Sequence, residues 1–331
     1  MEITFYLPEK VLTNEELAAI YPEWSADKIY KKTGIKQRRI ARCDEFVSDM
    51  AVKAGEKLID ELNIEKSKIE FLIVATQSPD YKLPTTACIV QDRLGIPKTS
   101  GALDINLGCS AYIYGLSLAK ALVMNGTVKN VLLITAETYS KYIHPMDKSV
   151  RTIFGDGAAA TLIDIATAKN IGEFVFGTDG SGYDKLIVPA GGAKRPATIE
   201  TNRELEDSSG NIRTLDNIYM NGADIFNFTI EVVPACLNTV LEKNNMRLDD
   251  IDLFVFHQAN QFILNHLKKI LKIPEEKFYT NLEMVGNTVS SSIPLALKTA
   301  EEEGILKKGY KVALVGFGVG LSWGATIITS Y

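Results

Sequence analysis

Histidine and cysteine are scarce in this 331-residue chain: three histidines (His144, His257, His266) and four cysteines (Cys43, Cys88, Cys109, Cys236). The cysteines are far apart, with no CxxC pair, which argues against a zinc site or a disulfide framework and suits a reducing cytosol. With so few histidines, any histidine-dependent chemistry has few candidates. Excess positive charge is also lacking. The net charge is −5, so no nucleic-acid groove is indicated, and local basic clusters such as Lys28, Lys31 and Lys32 read first as solvated faces. No apolar run reaches the length of a membrane span, and Met1-Glu2-Ile3-Thr4 lacks the basic start and apolar middle of a signal peptide. The expectation is a cytoplasmic protein without a membrane span. What is present is ordinary globular material, 46% apolar and 23% charged, enough for two domains or a fused pair.

Strand-like apolar runs alternate with helical stretches, the pattern of an α/β sandwich. The spacing predicts strands at 71–75, 102–107, 131–135 and 158–163, with helices at 85–94 and 110–124, the second stopped by Asn125-Gly126. The second part repeats this order: strand 250–256, helix 260–271, short strand 278–281, helix 290–303, strands 311–316 and 325–329. Matching elements lie roughly 180 positions apart, so the chain reads as a duplicated unit, with halves at 1–165 and 166–331. The segment 191–217 is polar and lacks a firm pattern; it reads as a long surface excursion.

Three places can carry chemistry. Cys109, in Asp104-Ile-Asn-Leu-Gly-Cys-Ser110, sits where a strand ends and a helix begins, so the helix dipole and free N–H groups are expected to favour the thiolate. Taken alone, it reads first as a small buried hydrophobe. His257 follows the second-half strand that corresponds to 71–75, and strand ends are where α/β sheets build sites. Asn287, in a glycine-flanked turn before a helix, falls near the position that Cys109 holds in the first half. Finally, Gly316-Phe-Gly-Val-Gly-Leu-Ser-Trp-Gly324 is a glycine-rich stretch whose backbone amides can approach a substrate closely. A strand and not a helix follows it, so it is not a dinucleotide fingerprint.

Tyr6-Leu-Pro-Glu-Lys-Val-Leu-Thr-Asn14, Lys32-Thr-Gly-Ile-Lys-Gln-Arg-Arg39, Phe154-Gly-Asp-Gly-Ala158, His257-Gln-Ala-Asn260, Gly286-Asn-Thr288 and the 316–324 stretch together resemble β-ketoacyl-(acyl carrier protein) synthase III, of the thiolase superfamily. The resemblance spans nearly the whole chain. It implies a thiolase-like five-layered αβαβα sandwich and a homodimer, with no cofactor or metal. It also implies a catalytic set of Cys109, His257 and Asn287, an oxyanion hole from the amides of Cys109 and Val319, and a second one from His257 and Asn287. Lys28, Lys32, Lys148, Leu83 and Phe317 become the expected substrate contacts, Leu83 by reaching into a partner subunit's pocket. Lys268 and Lys269 become contacts to acyl carrier protein. The reaction implied is acyl loading of Cys109 from a thioester such as acyl-coenzyme A. Decarboxylative condensation with a malonyl thioester follows.

The chain departs from the family pattern where substrate is delivered. Lys28 stands where the family has a nucleotide-stacking tryptophan, with Trp24 one helical turn earlier. Lys32 and Lys148 replace arginines, keeping charge but losing the planar fork. Phe262 replaces a carrier-contacting arginine, and Asn227 a lysine. These changes point to a different acyl donor or carrier. An alternative within acyl transfer is delivery from Cys109 to an alcohol or amine without condensation; Asn287 argues against it, because simple transfer forms no enolate. A cysteine peptidase would share the order Cys, His, Asn and the gap of 148 positions, but the local cysteine signature is absent. A silent partner subunit is a third alternative, opposed by the intact Cys109, His257 and Asn287.

Overall fold

Residues 1–330 are described by a computed structural model. Two sheets are stacked. The N-terminal sheet has the strand order Ile3–Tyr6, Gly157–Asp164, Asn130–Glu137, Phe71–Ala75, Gly101–Ile105, and the C-terminal sheet Leu253–Phe256, Lys311–Gly318, Ser322–Thr329, Ile171–Thr178. The duplication is visible in the pairing. Phe71–Ala75 runs parallel to Asn130–Glu137, which is antiparallel to Gly157–Asp164; Leu253–Phe256 runs parallel to Lys311–Gly318, which is antiparallel to Ser322–Thr329.

Period-two alternation explains why these strands read as unbroken apolar runs: both faces are covered. In the C-terminal sheet Leu253, Val255, Val312 and Leu314 face the central layer, whereas Phe254, Phe256, Ala313 and Val315 face an outer one. In the N-terminal sheet Ile73 and Leu133 point to the centre and Leu72, Val74, Leu132 and Ile134 outward. The central layer is made by the helices Ala111–Met124 and Ser292–Glu302, which bring Ile113, Leu116, Ile293 and Leu297 between the sheets. Val47–Glu61 and Thr86–Leu94 cover the N-terminal sheet, and Gly222–Lys243 and Gln261–Ile270 the C-terminal one. This is the five-layered αβαβα sandwich.

Two expectations need correction. The stretch 278–281 is not a strand: the 3₁₀ turn Glu275–Lys277 precedes it, and Phe278 makes a single parallel bridge to Phe254. That bridge stands where Gly101–Ile105 pairs with Phe71–Ala75 in the other half. The stretch 290–303 begins as a 3₁₀ turn, Val289–Ser291, and becomes α-helical only at Ser292. Helix Gly222–Lys243 is 22 residues long and passes a membrane-span test by length and composition only. It is amphipathic in place: Phe228, Val233, Leu237 and Val240 are buried on the sheet, and Asn227, Glu231, Asn238 and Glu242 form an exposed stripe.

The 191–217 excursion contains a small hairpin, Leu205–Glu206 with Ile212–Arg213. It is tied back to the 142–148 segment, where Arg213 joins Asp147 and Asp207 and the Ile218 amide donates to the Tyr142 carbonyl.

Candidate active site

Cys109 sits on the bend between the strand Gly101–Ile105 and the helix Ala111–Met124, one residue before the helix cap Ser110. Glycines make the bend possible. A Cβ on Gly108 would lie 2.6 Å from the Gln77 Oε1 and 2.7 Å from the Val319 Cγ1. Across the sheet interface, a Cβ on Gly318 would lie 2.8 Å from the Cys109 Sγ, and one on Gly316 2.9 Å from the Cys109 carbonyl oxygen. The glycine stripe of the second half is therefore a seat for the cysteine elbow of the first. Ser110 and Ser322 fasten it through a 2.7 Å hydroxyl–hydroxyl bond.

His257 extends the ladder beyond Leu253–Phe256, its amide donating to the Val315 carbonyl at 2.8 Å. Its ring lies edge-on to Phe317 at 5.5 Å, and its Nδ1 is 2.7 Å from the Ser292 Oγ. Asn287 is held by its backbone, which donates to the Ile153 carbonyl and accepts from the Gly155 amide. Here the Phe154-Gly-Asp-Gly-Ala158 motif acts structurally. A Cβ on Gly155 would lie 2.4 Å from the Val285 carbonyl oxygen, and Asp156 accepts from Ala41 and Ser140. The Asn287 Oδ1 accepts the Val289 amide at 2.9 Å, holding buried Val289 at φ 53°, a left-handed conformation that strains a β-branched residue. The Asn287 Nδ2 lies 3.4 Å from the His257 Nε2 and donates to the Ala259 carbonyl at 3.3 Å.

Cys109, His257, Asn287 and Phe317 line one cavity of about 510 Å³, walled by Phe154, Ile225 and Ile263. A second cavity of about 940 Å³ lies beside Val319 and is lined by Gln77, Tyr139, Tyr142, Leu186 and Ile218. The backbone N–H groups of Val319 and of Cys109 itself lie close enough to the thiol sulfur to favour its anion.

Electrostatics corrects the expected thiolate. Burial first, and the Glu137 charge second, push the Cys109 thiol up to about 12, against the two amides that favour the anion. At this elbow desolvation outweighs the helix terminus. Burial pushes His257 down to about 3, so the imidazole is neutral at physiological pH. The resting site is a neutral thiol beside a neutral imidazole.

The other expected residues lie elsewhere. Lys28 and Lys32 are on the helix Ala26–Thr33, their ammonium groups 5.4 and 5.0 Å from the Trp24 ring centre. Lys148, expected to meet substrate, is buried and bonded within the protein, to Glu23 at 2.8 Å and the Gly210 carbonyl at 3.1 Å. None of these three lines the Cys109 cavity. Leu83 is 82% exposed. On helix Gln261–Ile270, Lys268 pairs with Glu275, and exposed Lys269 borders a surface groove with Tyr30, Lys31, Phe262 and His266. Sequence reasoning missed Ser292 and Glu137. Each had a faint signal: a run of three serines before an apolar helix, and one acid closing an otherwise apolar strand. Among the described residues no group of three or more His, Cys, Asp or Glu side chains is placed to hold a metal ion.

Two family models match, 3-oxoacyl-[acyl-carrier-protein (ACP)] synthase III over residues 103–180 and its C-terminal part over residues 241–330. The chain is 41% identical over 326 residues to a β-ketoacyl-[acyl-carrier-protein] synthase III of Clostridioides difficile, covering 98% of this chain and 95% of that one. It is similar to a crystal structure of a 3-oxoacyl-(acyl-carrier-protein) synthase III, with a TM-score of 0.96 and 51% identity, covering 99% of this chain and 98% of that one. It also resembles the priming β-ketosynthase of the R1128 polyketide biosynthetic pathway, with a TM-score of 0.86 and 28% identity, covering 99% and 95%.

Proposed function

The chain belongs to the β-ketoacyl-[acyl-carrier-protein] synthase III family of acyl-transferring condensing enzymes, and on that premise we propose that Cys109 carries the acyl group and that His257 and Asn287 direct the condensation. The observation that carries this reading is the convergence, in one cavity, of the Cys109 elbow with the side chains of neutral His257 and Asn287. In the first step the Cys109 sulfur attacks an acyl thioester. The Val319 and Cys109 amides, which favour negative charge beside the sulfur, take up the negative charge of the tetrahedral intermediate. The thiol proton leaves with the departing thiol, and acyl-cysteine remains. A malonyl thioester then loses carbon dioxide. The electron pair of the broken C–C bond becomes an enolate whose charge rests on the thioester oxygen. Nε2–H of His257 and the Asn287 amide donate to that oxygen, each contributing about 3 kcal/mol. The enolate carbon bonds the acyl carbon, the β-ketoacyl thioester departs, and the cysteine sulfur regains a proton from water.

The raised Cys109 thiol suits this scheme. A thiol that stays protonated in the empty site is protected from adventitious alkylation, and bond formation at the oxyanion hole offsets its ionisation. Phe317, packed on His257 in the cavity wall, fits the role of a substrate contact. For the malonyl carrier, acyl carrier protein is the partner, with Lys269 as a contact; the pairing of Lys268 with Glu275 weakens its claim to the same role. Coenzyme A thioesters are the donors, met by Lys28 and Lys32 beside Trp24. Self-association as a homodimer is supported by exposed Leu83 and by the strand Gly101–Ile105, unpaired on its outer side.

The test is intact-protein mass spectrometry after incubation with a panel of acyl-coenzyme A and acyl-carrier thioesters, followed by malonyl-acyl carrier protein. An adduct lost in Cys109→Ala, and a product extended by two carbons, is expected. No adduct across the panel removes the acyl-cysteine. An adduct that passes to water, alcohol or amine without extension moves the enzyme to simple transfer.

A further inference from the structure

Glu137 closes the strand Asn130–Glu137 and is completely buried, yet hydroxyl and amide donors alone meet its carboxylate. The Ser78 Oγ donates at 2.7 Å, the Thr76 Oγ1 at 3.4 Å, the Gln77 amide at 3.1 Å and the Ser290 Oγ lies at 3.1 Å. The Ser78 and Thr76 hydroxyls each already accept a backbone N–H, from Thr138 and Ser78 respectively, so their own hydrogens are turned toward Glu137. Among the described residues the Ser290 hydroxyl has no such second bond, and it can donate to a carboxylate or accept from a carboxylic acid. The network can therefore hold Glu137 in either protonation state.

What makes this group more than a satisfied core acid is where its partners lead. The Gln77 side chain accepts the Tyr139 hydroxyl at 2.7 Å and packs against Gly108, the residue before Cys109. Ser290 lies in the turn Val289–Ser291, whose first amide is capped by the Asn287 Oδ1. One carboxyl thus touches the supports of both the nucleophile and the enolate-binding amide.

We propose that Glu137 is a positioning residue joining the two sides of the site, that it holds a proton while Cys109 is being acylated, and that its ionisation suppresses thiolate formation at Cys109. The inference rests on the reading of Cys109 as the nucleophile. The groups that face Glu137 allow no other source of compensation. The elbow presents the Cys109 thiol, and the segment after the strand presents Tyr139 and Tyr142, all three raised first by burial and second by the Glu137 charge. The 76–78 loop and the 289–291 turn present only hydroxyls and amides, and among the described residues no ion pair reaches it. An uncompensated buried acid keeps its proton well above the usual carboxylate range, here up to about 8. Below that pH the acid is neutral and burial alone opposes ionisation of the cysteine. Above it a negative charge beside the sulfur opposes a second one.

The experiment follows Cys109 alkylation by iodoacetamide from pH 6 to 10, without acyl donor. Peptide mapping separates it from exposed Cys43 and Cys88. Cys109→Ala is the blank. Glu137→Gln keeps an acceptor oxygen and offers Ser290 a donor, imitating the protonated state without the charge. The wild type is expected to show a break near pH 8, above which its rate climbs less steeply. Glu137→Gln is expected to lack the break and to react about tenfold faster at pH 9, the equivalent of one unit of thiol pKa. Superimposable profiles overturn the inference, as does a wild-type profile with no break, which needs no variant. Failure of Cys109 to react or to take any acyl group overturns instead the assignment of the nucleophile.

Discussion

The hydroxyl of Ser292 sits 2.7 Å from the His257 Nδ1 and also takes the Gln258 amide at 3.4 Å. With that amide donating into it, the hydroxyl turns its own hydrogen toward Nδ1, which leaves the imidazole proton on Nε2. The 3.4 Å approach of the Asn287 Nδ2 to the His257 Nε2 is then two donors side by side, the arrangement a developing enolate oxygen requires. Ser292→Ala releases the tautomer. Condensation should fall on the order of 10- to 100-fold, a milder version of the loss that follows a wrong tautomer elsewhere. Acyl loading of Cys109 should change little. Parallel single-turnover assays of loading and of malonyl decarboxylation distinguish the two; equal losses in both would assign Ser292 to general packing.

Asn287→Ala removes one of the paired donors and the cap on Val289. Condensation should drop about 100- to 1,000-fold, the usual effect of deleting an oxyanion donor, while acyl-cysteine still forms and accumulates. Intact mass after mixing with donor and malonyl thioester reads both at once.

Gly318→Ala would place a methyl group 2.8 Å from the Cys109 sulfur. The elbow has to shift, and a displacement of about 1 Å at a reacting atom costs about 100-fold. Acyl-enzyme formation should fall by that order. Circular dichroism should still report the native sheets, because the strand Lys311–Gly318 keeps its ladder with Ser322–Thr329.

His257 makes stability depend on acid. Its folded pKa, about 3, lies below the ordinary 6.5 of an unfolded histidine. The neutral ring contributes its full stability above pH 6.5, and that contribution is lost as pH falls toward 3, because the unfolded chain binds a proton that the folded chain refuses. The slope is up to about 1.4 kcal/mol per pH unit. In urea titrations at pH 7, 5.5 and 4.5, His257→Gln should lose less stability than the wild type. An identical loss would mean that other groups carry the whole acid response.

Much of this architecture was legible because both sheets are covered on both faces. Leu253–Phe256 and Lys311–Gly318 read as plain apolar runs with glycine or polar punctuation at their ends, and the repeat exposed their counterparts at Phe71–Ala75 and Asn130–Glu137. The sites at the ends of those strands followed. The ionisation of Cys109 did not, because a helix terminus is visible in sequence and the burial opposing it is not. Glu137 and Ser292 were hidden for a related reason. A lone acid at a strand end and a serine before a helix are ordinary surface residues until packing places them inside. Lys148 shows the converse, a lysine whose charge looked available and which Glu23 already holds.

The reduction of the second half's outer strand to the single Phe254–Phe278 bridge bears on the number of molecules that can join. Two equivalent sheets with two equivalent open borders would give each chain two matching ends, and such units add to one another without limit. Of the two positions flanking the parallel strand pairs, only the one at Gly101–Ile105 is kept as a full strand; the other sheet edges are Ile3–Tyr6, Leu253–Phe256 and Ile171–Thr178. Two chains related by a two-fold axis across the Gly101–Ile105 border would leave no free copy of that border on either of them.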